Sequence, residues 1–118
     1  MSSSRIYEEY RTLAKGVSAN ALLAHAFLDW GTKKDKEYLI VTADLLKEYG
    51  EQTIPVLLKY RDRPEMEYFL ISIAGLKGVA KSQREATLKT FLDHPNAAIA
   101  DAAYEAIDYL YDQKTDTL

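Results

Sequence analysis

The stretch Asp93-His94-Pro95-Asn96, followed by Ala97 to Leu110, limits the possible folds more than any other segment of this chain. Asp, Pro and Asn in close succession favour a tight turn, because Pro fixes its own φ and the Asp and Asn side chains can bond to nearby backbone amides. Behind the turn, Ile99, Ala102, Ala103, Ala106 and Leu110 recur at three- and four-residue intervals. That spacing places them on one side of an α-helix. The other side carries Asp101, Tyr104, Glu105, Asp108, Tyr111 and Asp112. A helix so divided buries its apolar side against other helices. The small residues Ala98, Ala102, Ala103 and Ala106 allow close helix approach.

The rest of the chain repeats this logic more weakly. Ser3 or Ser4 can cap a helix running to about Lys15, with Ile6, Tyr7, Tyr10, Leu13 and Ala14 along one side. Ser18 is placed to cap a second helix, Ala19 to Trp30, ended by Gly31. Asp35 opens a third, Lys36 to Tyr49, closed by Gly50. Thr53 and Pro55 start a fourth that ends near Arg61, since Pro is tolerated in a first helical turn. A fifth follows from Glu65 to about Lys77, and Gly78 breaks it. Ser82-Gln83-Arg84-Glu85 fits a capping box for the sixth, which runs to Leu92. The seventh spans Asn96 to Asp112, and 113–118 reads as a polar, frayed tail. No segment alternates with period two, so the expected class is all-α with about seven helices.

An internal echo organises these helices. Asp29, Asp62 and Asp93 each close one helix before a turn, and each follows an aromatic residue by two positions: Phe27, Tyr60 and Phe91. Such a period predicts stacked helical hairpins, because each exposes an apolar face that only the next can cover. Here the chain resembles the HEAT repeat family. Asp93-His94-Pro95, then Ile99, then Ala102, Ala103, Ala106, Ile107 and Leu110 look like the second half of one such repeat, and Asp62-Arg63-Pro64 echoes its turn. The basic residue that the family tends to place after the branched one is here Ala100. The resemblance implies a right-handed stack of about three helical hairpins with an N-terminal capping helix, forming one domain over 1–118.

Chemistry is sparse. The chain has no cysteine, which removes disulfides, thiol nucleophiles and Cys-based metal sites. There is no phosphate-binding glycine loop, no HExxH and no EF-hand pattern. His25 lies four residues before Asp29 and could touch it, but neither a Ser nor a Cys nucleophile is paired with it. Neither catalysis, a cofactor, a metal nor a small-molecule substrate is expected. The N-terminus lacks a signal-peptide apolar region and no run is long enough to span a membrane, so a cytoplasmic, non-membrane protein is expected.

Charge suggests where function lies. The net charge is -3, so general affinity for nucleic acid is not indicated. Residues 82–118 hold seven acids against three bases, while 1–81 carry about +1. The side of the last helix formed by Asp101, Tyr104, Glu105, Asp108, Tyr111 and Asp112 has no basic residue. Tyr rings supply rigid contact area and carboxylates steer a cationic partner. The expected function is therefore non-catalytic protein binding. The best specific form is an immunity protein that neutralises a basic toxin, such as a nuclease, through this acidic face. An adaptor or accessory subunit is the alternative within the same class. From another class comes nucleic-acid or phosphate binding along the turn residues Lys33, Lys34, Lys36, Lys59, Arg61 and Arg63.

Overall fold

The N-terminal helix is amphipathic and lays its apolar side on the core: Ile6 and Tyr10 are buried and Tyr7, Leu13 and Ala14 pack against the core edge. The computed structural model describes residues 2–112, and within them every regular element is helical. The α-helices are α1 (Ser2–Ala14), α2 (Ala19–Lys33), α3 (Glu37–Leu46), α4 (Thr53–Lys59), α5 (Leu70–Ala74), α6 (Lys81–Lys89) and α7 (Ala97–Asp112). Two 3-10 segments, Lys47–Gln52 and Pro64–Tyr68, join α3 to α4 and lead into α5. The expected tail 113–118 lies outside the described residues.

Local chemistry explains most boundaries. Ser18 caps α2 by accepting from the Ala21 amide at 3.1 Å, as its position predicts. Asp35 accepts from the Glu37 amide at 3.0 Å, and Asn96 accepts from the Ala98 amide at 3.0 Å ahead of α7. Other expectations are corrected. Gly31 does not end α2, which runs on to Lys33 and is closed by Lys34 in the left-handed region at φ 57°. The capping box at Ser82 does not form: α6 begins one residue earlier, and Ala80 precedes it without a side-chain cap. The third and fifth helices are each split into an α-helical and a 3-10 section.

Gly50 accounts for the first of these splits. It is buried, its φ is 60°, and a Cβ built there would lie 2.7 Å from the Lys77 carbonyl oxygen. The Lys77 amide also donates to the Lys47 carbonyl at 3.0 Å. Two backbone segments thus meet without a side chain between them, a contact only glycine permits.

The helices share one core. Helix α3 packs against α1 and α2, α7 packs against α5 and α6, and α5 bridges toward α3. Helix α4 rests on α2 and on the 3-10 segment before it. The Cα radius of gyration is 13.8 Å, close to the roughly 13.5 Å expected of a compact chain of this length. Phe27 lies edge-on to Tyr60 at 5.2 Å and to Phe69 at 6.0 Å.

The Phe/Tyr-x-Asp echo becomes a set of cross-links made by the middle turn. Arg63 sits 3.9 Å from the centroid of the Phe27 ring, and Arg61 sits 4.7 Å from that of Phe91. Arg61 also donates to the Thr90 carbonyl at 3.0 Å. His94 Nδ1 accepts from the Asn96 amide, so its Nε2 carries the proton and points at Asp62 Oδ1 and the Arg61 carbonyl, both at 3.1 Å. The turn at 61–63 is therefore tied backward to α2 and forward to the turn ahead of α7.

Candidate functional site

Helix α7 buries Ile99, Ala103, Ala106, Ile107 and Leu110, and Ala102 is half-buried. That register turns Asp101, Tyr104, Glu105, Asp108, Tyr111 and Asp112 outward, and all six are exposed. Tyr104 is 57% exposed and Tyr111 61%. Tyr109 is also exposed.

The six residues do not form one uniform surface. Tyr111 donates its hydroxyl to the Glu85 carboxylate of α6, and Lys81 lies 5.4 Å from its ring centroid. Glu85 is also paired with Lys89 at 3.3 Å. The Tyr111 hydrogen bond holds the Glu85 carboxyl below its usual range, with Lys89 adding to the effect. One end of the acidic face is thus fastened to α6 and has a cation beside it. At its other side, Glu105 turns toward a groove. Asp101, Tyr104, Asp108 and Asp112 lie between, and among the described residues none of these four has an ion-pair partner.

The groove is the feature that helix-by-helix reasoning missed. It runs across α3, the Pro64–Tyr68 segment, α5 and α7, with a volume of about 420 Å³. Ile40, Ala43, Ile71, Tyr68, Ala102 and Ala106 supply its apolar lining, and Asp44, Lys47, Glu67 and Glu105 its polar lining. Ile40 is 47% exposed and Ile71 41%. Ile40, Ile71 and Ala102 are spaced 31 residues apart in each case. That shared spacing was the available signal. Tyr68 is half-buried in this groove, whereas Tyr38 is buried.

The basic turns are largely engaged within the fold. Arg63 pairs with Glu65 at 3.1 Å and Lys33 with Asp29 at 3.6 Å. Lys59 lies 5.3 Å from the Tyr60 ring centroid and Lys33 5.1 Å from that of Tyr38. Lys34 and Lys36 are exposed. His25 stands 3.6 Å from Asp29 and edge-on to Tyr10. Asp29 meanwhile accepts from the Tyr10 hydroxyl at 2.5 Å. This is a packed polar junction of α1 and α2, with no nucleophile among its members. Among the described residues no group of three His, Cys, Asp or Glu is placed to hold a metal ion. No described helix is long and apolar enough to cross a membrane.

No protein-family model, no curated protein and no solved structure matches the chain.

Proposed function

We propose that this chain is a short HEAT-like stack of three helical hairpins that serves as a non-catalytic protein-binding module. Three observations support the stacked reading. Ile40, Ile71 and Ala102 recur at equal spacing along one groove. The aromatic residues two positions before Asp29 and Asp93 are gripped by Arg63 and Arg61 of the intervening turn. Helices α3, α5 and α7 lie side by side in sequence order.

The binding surface is the outer face of α7, and its partner is a basic protein. The observation that carries this reading is the exposure of Asp101, Tyr104, Asp108 and Asp112 with no ion-pair partner among the described residues. Carboxylates so placed raise the encounter rate with a cationic surface, and tyrosines supply contact area at low entropic cost. The specific form we favour is an immunity protein acting in the cytoplasm, which covers the cationic active site of a toxin such as a nuclease. The turn residues offer less to a phosphate ligand, because Arg61 and Arg63 already stack on rings and bond within the fold.

Affinity capture from the native host, followed by mass spectrometry, tests the proposal with Asp101→Lys/Asp108→Lys run in parallel. A basic protein retained by the natural chain and lost with the double variant is the expected result. Its association should slow most at low salt. Equal retention by both forms removes the α7 face from consideration.

A further inference from the structure

The groove across α3, α5 and α7 combines two features that point to one kind of occupant. Its floor is aliphatic: Ile40 and Ile71 each leave more than a third of their surface in water. At the third equivalent position the chain has Ala102, with Ala106 one turn later. Where the first two helices raise an isoleucine, α7 leaves a recess wide enough for an incoming side chain. The lining polar groups are Asp44, Glu67 and Glu105 with a single base, Lys47, held 3.5 Å from Asp44. Among the described residues Glu67 and Glu105 have no ion-pair partner.

An apolar floor favours an aliphatic side chain by burial, and uncompensated carboxylates at its edge select a cation beside it. A second copy of this chain fits less well, because its own net charge is -3. The geometry points to an amphipathic segment of a partner protein, in which a large aliphatic residue is flanked by Arg or Lys. The aliphatic side chain seats at Ala102 beside Ile71, in the groove that Ile40 also lines, and the cation meets Glu67 and Glu105. This inference rests on the protein-binding reading above and names the chemistry of the partner. It also moves the energetic centre from the outer face of α7 to the groove, since buried apolar anchors dominate affinity while exposed charges mainly steer.

The probe is a fluorescently labelled 14-residue amphipathic peptide of Leu and Lys, compared by anisotropy with a Lys/Gln peptide of equal length and charge. The Leu/Lys peptide should bind the natural chain at least about tenfold tighter than the Lys/Gln peptide. Ala102→Leu, which fills the recess, and Ile40→Ser/Ile71→Ser, which strips the floor, should each weaken it roughly tenfold. Glu67→Gln/Glu105→Gln changes only exposed groups and keeps the test available if either groove variant fails to fold. It should weaken binding by a few-fold and flatten its salt dependence. Equal affinity for both peptides, or affinity untouched by the groove and rim variants, overturns the inference. Loss with Asp101→Lys/Asp108→Lys but not with the groove variants would leave the α7 face as the binding surface and remove the groove. The opposite pattern keeps the groove and removes the α7 face. A sedimenting dimer of the natural chain that Ala102→Leu dissociates would make a second copy the occupant, which also overturns it.

Discussion

The Tyr10 hydroxyl donates to Asp29 Oδ2 at 2.5 Å, joining α1 to the end of α2 from a side chain with no exposed surface. Burial first, and then the Asp29 carboxylate, push the Tyr10 hydroxyl well above its ordinary value of 10.0. Burial also raises Tyr49, whose hydroxyl lies 2.9 Å from the Ala14 carbonyl and 2.8 Å from that of Val17. In both cases the folded state holds the proton more tightly than the unfolded one. Their stabilisation is complete below about pH 10 and is lost as pH rises above it. Denaturation followed at several alkaline pH values should show stability falling from about pH 10 upward. Tyr10→Phe should cost about 1–3 kcal/mol at pH 7, since it removes a bond to a charged acceptor, and should lessen that alkaline fall.

Arg61 and Arg63 are expected to matter for stability rather than for ligand binding. Arg63→Ala removes the guanidinium from the Phe27 ring and from Glu65, and Arg61→Ala removes it from Phe91 and the Thr90 carbonyl. Each should cost about 1–2 kcal/mol in urea unfolding, and lysine should restore only a fraction of it. A nucleic-acid affinity that disappears in these variants while stability is unchanged would contradict this assignment.

Gly50→Ala should be among the most damaging single changes. It combines a positive φ with a Cβ 2.7 Å from the Lys77 carbonyl oxygen, and that neighbour is backbone. Relief requires moving the 77–78 turn, at a cost of about 2–4 kcal/mol. The midpoint of thermal unfolding read by circular dichroism checks it. Gly16→Ala, with open space at its Cβ and no positive φ, is the matched control and should be near neutral.

The two alanines of α7 should separate. Ala106 has no exposed surface, so Ala106→Leu overpacks the core and should cost about 1–3 kcal/mol. Ala102 is half-buried at the groove, and Ala102→Leu should change stability by no more than about 0.5 kcal/mol. From the helical wheel alone both positions look alike. Chemical denaturation of the two variants side by side distinguishes them.

Helical class was legible because periodicity is a local property: Ile99, Ala103, Ala106 and Leu110 reveal the buried side of α7 without reference to any neighbour. Ser18 was legible as a cap for the same reason, whereas the cap position of α3 is Lys36, one residue beyond Asp35. Gly31 misled because a glycine can sit within a helix when nothing crowds it, and a Cβ there would meet nothing within 4 Å. Ser82 misled because the capping pattern is two residues out of step with the cap position of α6, Ala80. The exposed acids of α7 follow from its buried side, so the sequence was enough to place them outward. The groove was not legible in this way. It exists only where α3, α5 and α7 come together, and the role of Ile40 depends on Ala102 some sixty residues away being small.

Trp30 is the only tryptophan of the chain, and its indole Nε1 donates to Glu65 Oε2 at 3.0 Å. Burial opposes ionisation of Glu65, but its own backbone amide, Arg63 and Trp30 outweigh it and hold the carboxyl below its usual range. The intrinsic fluorescence of the protein therefore watches a single joint, that between α2 and the segment leading into α5. Emission and far-ultraviolet dichroism will coincide on denaturation only if this joint opens together with the helices around it. If acid loosens it first, emission will shift as pH falls below the usual Glu value of 4.5 while helical content persists. One side chain thus supplies a built-in optical test of whether the chain behaves as a single cooperative unit or as neighbours that come apart in succession.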